Sequence, residues 1–207
     1  MIKEIFNNTT NNKSDEKLKF NYEIICVTNR KLCGNDFLTH IEKIASKKPS
    51  AIILREKDLT KEEYKMLAID VMKICKKNEV RCILHSFIDI AIEINSNAIH
   101  LPLHILKKLS IEGKDKFSII GASCHSVEEA LEAQKLGCTY IIAGHIFDTD
   151  CKKGLPGKGL KFLSEICDTI DIPVYAIGGI THENTNQILK TGADGVCMMS
   201  EFMKNLP

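Results

Sequence analysis

From Glu23 onward, short apolar runs alternate with longer, charged stretches of helical period. The runs are Ile24–Val27, Ala51–Leu54, Arg81–Leu84, Ala98–Leu101, Ser118–Ala122, Tyr140–Ala143, Val174–Ile177 and Gly195–Met199. They are rich in Ile and Val, and many lack polar alternation. A strand covered on both faces reads this way, because neither row of side chains meets water. The intervening stretches Lys61–Lys77, Val127–Leu136 and Leu160–Cys167 carry the helical period. Thr60-x-x-Glu63 and Ser126-x-x-Glu129 predict capping boxes that open two of these helices, and Gly137 and Gly192 suit the left-handed residue that closes one.

Eight strands separated by helices fit either a closed ring or a doubly wound open sheet. The count of eight favours the ring. So does the first strand's end, where Thr28-Asn29-Arg30 stands in place of a glycine-rich dinucleotide turn. The expectation is therefore one (β/α)₈ barrel over residues 21–207, preceded by a polar arm over residues 1–20, which are rich in Asn, Thr, Lys and Glu. Only Phe202–Pro207 follow the eighth run's mouth, so the last helix is expected to be missing or a single turn. The arm, or a second copy in a homodimer, would cover the flank this leaves bare.

Composition narrows the partners. A formal net charge of +1 in 207 residues gives no electrostatic reason to expect nucleic acid or an anionic membrane. Trp is absent and aromatics are few, which argues against base-stacking platforms. The nine cysteines include no C-x-x-C pair, and several lie inside the apolar runs, as buried thiols in a reducing cytoplasm would. No stretch approaches the length of a membrane span, and the first residues lack the apolar core of a signal peptide. A cytoplasmic location is the expectation.

In such a barrel, reacting groups come from strand carboxyl ends and the loops after them. The second run ends in Arg55-Glu56-Lys57, where a guanidinium or ammonium can hold an anion. His85, His100 and His145 stand at the ends of the third, fourth and sixth runs. They are mouth candidates, each with the ordinary alternative of a hydrogen-bonded structural histidine. No catalytic metal is expected from them, because the carboxylates that complete a hydrolytic metal centre are not nearby. His125 is the leading acid/base candidate, since imidazole titrates near neutrality. Strand alternation aims Cys124 and His125 opposite ways, so one belongs in the site and the other is packed outside it. Gly178-Gly179 after the seventh run, a helix beginning near Thr181, and Ser200 after the eighth run suggest a phosphate cradle. The polar stretch from Phe147 to Gly154, with Thr149 and Lys152, suits a lid loop.

Taken together, Leu54-Arg55-Glu56-Lys57, Ser123-x-His125-Ser126-x-Glu128-Glu129-Ala130, Gly144-His145-Ile146-Phe147-x-Thr149-Asp150-Cys151-Lys152-Lys153-Gly154, Ala176-Ile177-Gly178-Gly179-Ile180 and Gly192-Ala193-Asp194-Gly195-Val196 resemble the thiamine phosphate synthase/thiazole tautomerase (TenI-like) superfamily. The resemblance implies a barrel enzyme acting on a small phosphorylated thiazole. One branch joins a pyrimidine diphosphate to a thiazole phosphate with magnesium. The other moves a proton on a carboxythiazole phosphate. Where the synthase pattern has carboxylates after strands three and four, this chain has His85-Ser86 and Pro102-Leu103-His104-Ile105. It also has Ile53 where that pattern has Gln. The expectation is thus the tautomerase, an isomerase without cofactor, with His125 moving the proton, Gly178, Gly179 and Ser200 on the phosphate, and Arg55 or a lid lysine on the carboxylate. The alternative is the magnesium-dependent synthase. A third reading is a non-catalytic regulator that keeps the phosphate pocket.

Overall fold

The computed structural model describes residues 22–34, 36–149, 152 and 154–204. Eight parallel strands close into a barrel in chain order: β1 Glu23–Val27, β2 Ala51–Leu54, β3 Arg81–His85, β4 Ala98–Pro102, β5 Ile119–Cys124, β6 Tyr140–Gly144, β7 Val174–Ile177 and β8 Gly195–Met198. Ring closure is direct, with Glu23 in register with Gly195 and Cys26 with Met198. The expected runs all become strands. The fifth starts one residue later than expected and continues through Cys124, because its backbone stays paired with β6 as far as Cys124 opposite Ala143.

The helices lie between strands: α1 Phe37–Ser46, α2 Lys61–Lys77, α3 Ile88–Glu93, α4 Leu103–Leu106, α5 Ile111–Lys114, α6 Val127–Lys135, α7 Gly159–Thr169, α8 Thr185–Leu189 and α9 Ser200–Lys204. Thr60 and Glu63 form the full reciprocal box at the start of α2. At α6 only half of the expected box forms. The Ser126 hydroxyl accepts from the Glu129 amide, but the Glu129 carboxylate turns one residue back and accepts from the His125 amide. Within the described residues α9 is a short closing helix. Its Phe202 carbonyl is 2.8 Å from the His40 Nε2 on α1, which ties α9 to the first helix. The polar arm expected over residues 1–20 lies outside the described residues. Among the described residues no helix is long and apolar enough to cross a membrane.

The core has two layers, set by strand alternation. Ile25, Val27, Ala51, Ile53, Ile83, Ala98, Ile119, Ile142 and Cys197 fill the barrel interior together with Tyr140 and Tyr175. The alternate residues, among them Ile24, Cys26, Ile52, Leu54, Leu84, Ile99, Ala122 and Cys124, pack outward under the helices. Each fully buried Ile or Leu contributes about 1.5–3 kcal/mol of transfer free energy, so both faces of every strand resist polar substitution. At the amino-terminal floor the Tyr175 hydroxyl donates to the Glu23 carboxylate. Burial pushes that carboxylate above its usual range.

Candidate functional site

The interior row of each strand continues past the apolar core to the carboxyl rim, and there it becomes polar. Arg55 follows Ile53 by two residues, His85 follows Ile83, and His100 follows Ala98; Ser123 and His125 extend the Ile119–Gly121 row. Period-two alternation therefore turns these five side chains toward the barrel axis or its mouth. Pairing sets their heights: His85 is in register with His100, and Ser123 lies opposite Ile142, which brings His125 level with Gly144.

Three hydrogen-bonded devices fix this rim. The Thr28 hydroxyl, with the residue 0% exposed, donates to Glu56 Oε1 at 2.7 Å and accepts from the Arg55 amide at 2.9 Å, locking the end of β2 to β1. Glu56, 2% exposed, also accepts from the Arg30 amide at 3.0 Å and from the Arg30 guanidinium at 3.3 Å. From α2, the buried Tyr64 hydroxyl donates to the Leu54 carbonyl at 2.7 Å and accepts from the His85 amide at 2.9 Å, bridging the ends of β2 and β3. Inside the ring, His100 Nδ1 is 3.1 Å from the Tyr140 hydroxyl and Nε2 is 2.9 Å from Ser123 Oγ. Gly121 makes this packing possible, since a Cβ there would lie 2.1 Å from the Tyr140 ring and 2.5 Å from His100 Nδ1.

The electrostatics follow from burial. His100, 2% exposed, is pushed down to about 3 by desolvation and by the Arg55 charge. Desolvation first, then His100, Arg55 and Lys57, lower His85 to about 2. Both imidazoles are therefore neutral near pH 7, with ring centroids 5.8 Å apart. Lys57 is also shifted down, by burial and by Arg55. His125 differs. It is exposed at the rim, and its Nδ1 lies 2.7 Å from the Gly144 carbonyl oxygen. A carbonyl only accepts, so Nδ1 carries a proton, and in the neutral ring the lone pair is on Nε2. Cys124 is buried in the outer layer, and burial raises its thiol well above the ordinary range, which leaves it no nucleophile.

The remaining candidates sit on two adjacent loops. Gly178 and Gly179 follow β7 with φ of 106° and 63°, and Ser200 opens α9 after β8. A Cβ on Gly178 would meet His145 Cβ at 2.3 Å, and one on Gly179 would meet the Asp148 carbonyl oxygen at 2.5 Å. The glycine pair thus lets the loop after β6 lie against it, and the Phe147 amide donates to the Gly178 carbonyl at 3.0 Å. The helix expected near Thr181 begins at Thr185 instead. Asn184 accepts from the Thr181 amide and donates to the Gly179 carbonyl, and so holds a turn ahead of the helix. Thr149 and Lys152 are half-buried in the loop after β6, joined by a bond from the Lys152 amide to the Thr149 carbonyl at 3.0 Å. His145 is 6% exposed. Its Nε2 is 3.2 Å from the Leu155 carbonyl, and its buried Nδ1 has no protein partner among the described residues. It lies beside Leu155 of the loop after β6, off the interior row of β6. Ser123 carries one signal in the sequence, its place on the interior row with His125.

Magnesium, the ion that the resemblance attaches to the synthase branch, needs hard oxygen ligands, commonly one or two carboxylates with substrate phosphate. The residues here do not fit. The interior-facing ends of β3 and β4 are imidazoles. The carboxylates of the β2 loop are spent, Glu56 on Thr28 and Arg30, and Asp58 on Arg30 at 2.6 Å and Lys31 at 3.0 Å. Among the described residues no three His, Cys, Asp or Glu side chains gather as a metal site.

A closed ring of eight parallel strands with its charged and titratable groups gathered at the carboxyl rim defines a (β/α)₈ barrel of the enzyme type. The chain belongs to the thiamine monophosphate synthase (TMP-TENI) family, whose model matches residues 24–202. It is 36% identical over 186 residues to the thiamine-phosphate synthase of Clostridium acetobutylicum, covering 88% of this chain and 87% of that protein. It is 34% identical over 195 residues to the enzyme of the same name from Clostridium novyi, covering 91% and 94%. Among solved structures, the thiamine phosphate pyrophosphorylase from Pyrococcus furiosus superposes with a TM-score of 0.76 at 28% identity, covering 88% of each chain. These relatives correct the sequence reading on activity. They carry the name of the synthase, a transferase, so the isomerase expectation and its proton-moving role for His125 are set aside.

Proposed function

We propose that the protein is a thiamine-phosphate synthase, transferring a pyrimidinylmethyl group from its diphosphate to the ring nitrogen of a thiazole phosphate. The observation that carries this reading is the similarity to synthases along nearly the whole of both chains. The reaction breaks the methylene C–O bond, whose electron pair leaves with diphosphate. The thiazole nitrogen supplies the pair for the new C–N bond, and no proton is consumed.

That balance assigns work to this chain's residues. Charge develops on the leaving diphosphate, and cationic groups held in place stabilise it without reorganising as the bond breaks. Arg55 and Lys57 occupy that role. Gly178, Gly179 and Ser200 hold the phosphate of the thiazole, and Thr149 and Lys152 close over it. His125 directs a fixed lone pair at the rim and orients the thiazole, while Ser123, steadied by His100, presents a hydroxyl to the pyrimidine. Holding both substrates together removes much of the entropic barrier.

Incubation with hydroxymethylpyrimidine diphosphate and hydroxyethylthiazole phosphate, read by chromatography, tests the proposal. Thiamine phosphate is the expected product. Its absence both with added magnesium and without it would retire the reading.

A further inference from the structure

We propose that this barrel holds the leaving diphosphate without a divalent cation, using Arg55 and Lys57 as the counter-charge in a sector whose β3 and β4 ends offer His85 and His100 instead of oxygen ligands. The inference rests on the transferase reading for the identity of the anion. It concerns how that anion is held, not whether transfer occurs.

The argument starts from what surrounds the subsite. Every residue from Arg55 through Leu106 is described, so no carboxylate of this sector is hidden. Glu56 alternates with Arg55 and turns away from the interior row, and its oxygens receive the Thr28 hydroxyl and the Arg30 amide and guanidinium. Asp58 receives both ends of the Arg30 guanidinium, at 2.6 and 2.8 Å, together with the Lys31 ammonium. The first carboxylate after β3, Asp89, is paired with Lys61. After β4 the next acidic residue is Glu112, in the first turn of α5. A magnesium ion would thus find imidazole nitrogen at the ends of β3 and β4, which it binds poorly, and the carboxylates of Glu56, Asp58 and Asp89 already engaged.

The positive side of the balance is equally specific. Arg55 and Lys57 have no carboxylate within ion-pair distance among the described residues, although Arg30, one strand away, has two. Arg55 acts electrostatically on Lys57, His85 and His100, so all four converge on one region. Two uncompensated cations there attract an anion. They also repel a divalent cation, each by Coulomb interaction with twice its own charge. Glu56 and Asp58 satisfy Arg30 and leave Arg55 unsatisfied, so the carboxylates of this loop organise the cation site and do not ligate a metal.

The test titrates metal-stripped protein with inorganic diphosphate by calorimetry, once in excess EDTA and once with millimolar Mg²⁺. The expected result is binding in EDTA that Mg²⁺ leaves unchanged or weakens, and that falls about tenfold or more in Arg55→Ala and in Lys57→Ala. Binding that appears only with Mg²⁺, binding in neither condition, or binding indifferent to both substitutions overturns the inference. Product formation is measured on the same preparations. Synthesis abolished by EDTA and restored by Mg²⁺ overturns cation independence and leaves the transferase reading standing. Diphosphate binding in EDTA with no synthesis under any condition supports the cation-free subsite and retires the transferase reading instead.

Discussion

His125 Nδ1 lies 2.7 Å from the Gly144 carbonyl oxygen, across the β5–β6 pair. One backbone acceptor therefore keeps a proton on Nδ1 of an exposed imidazole at the rim and fixes the direction in which its Nε2 points. His125→Ala removes the ring, and kcat/KM should drop by roughly ten- to a hundredfold, the scale of lost orientation at a reacting centre. His125→Asn can still donate to Gly144 through its amide but lacks a lone pair at the Nε2 position. It should fold as well as wild type and recover little activity. Full activity in both variants would remove His125 from the site.

Thr28 links the backbone of Arg55 to the carboxylate of Glu56. Thr28→Val keeps the shape and deletes the hydroxyl, leaving a buried carboxylate short of one donor and the Arg55 amide without its acceptor. The expected cost is about 1–3 kcal/mol in urea unfolding, with diphosphate affinity falling because Arg55 loses its anchor. An unchanged midpoint would show that water replaces the hydroxyl.

Two glycines separate packing from backbone strain. Gly154 has φ of 81° and open space where a Cβ would go, so Gly154→Ala should cost about 1 kcal/mol. Gly179 has φ of 63°, and its Cβ would meet the Asp148 carbonyl oxygen at 2.5 Å and Phe147 Cβ at 2.8 Å. Gly179→Ala should therefore cost more than the Gly154 change, about 2 kcal/mol or above, and should weaken binding of the thiazole phosphate by displacing the loop after β6. Equal costs in thermal unfolding would mean that this loop yields freely.

Acid should loosen the barrel through its interior imidazoles. In the unfolded chain His85 and His100 take up protons as pH falls through about 6.5. In the folded chain burial holds them at about 2 and about 3. Between those limits the unfolded state binds more protons. The stability that depends on neutral rings is therefore complete above about pH 6.5 and lost progressively below it. The melting temperature should fall as pH drops from about 6 toward 4, and more gently in His100→Gln than in wild type. Parallel slopes in the two proteins would locate the acid sensitivity elsewhere.

The strands were legible because a parallel barrel buries both faces, and runs such as Ala51–Leu54 and Val174–Ile177 have no other reading at that length. The opposite aims of Cys124 and His125 followed from alternation alone. Tyr140 and Tyr175 were harder to place, because a tyrosine in an apolar run reads as filler until the partner of its hydroxyl is known. Ser123 escaped for the same reason, since its value comes from His100, 23 residues earlier in the chain. The turn at Thr181–Asn184 delays α8, because the Asn184 side chain satisfies backbone groups that a helix start would otherwise claim. Activity was the least legible property. The missing carboxylates pointed away from the synthase, whereas the relatives point toward it, and only the packing around Glu56 and Arg55 suggests how both observations hold at once.

The two-layer alternation has a further consequence for how this site can change over evolutionary time. Exchanging one rim side chain alters one contact, but deleting a single residue within β4 would swing Leu101 inward and send His100 under the helices. New chemistry at this mouth is therefore reached by swapping letters in place, while frame-shifting a strand by one step would erase the binding surface and both hydrophobic layers in the same event.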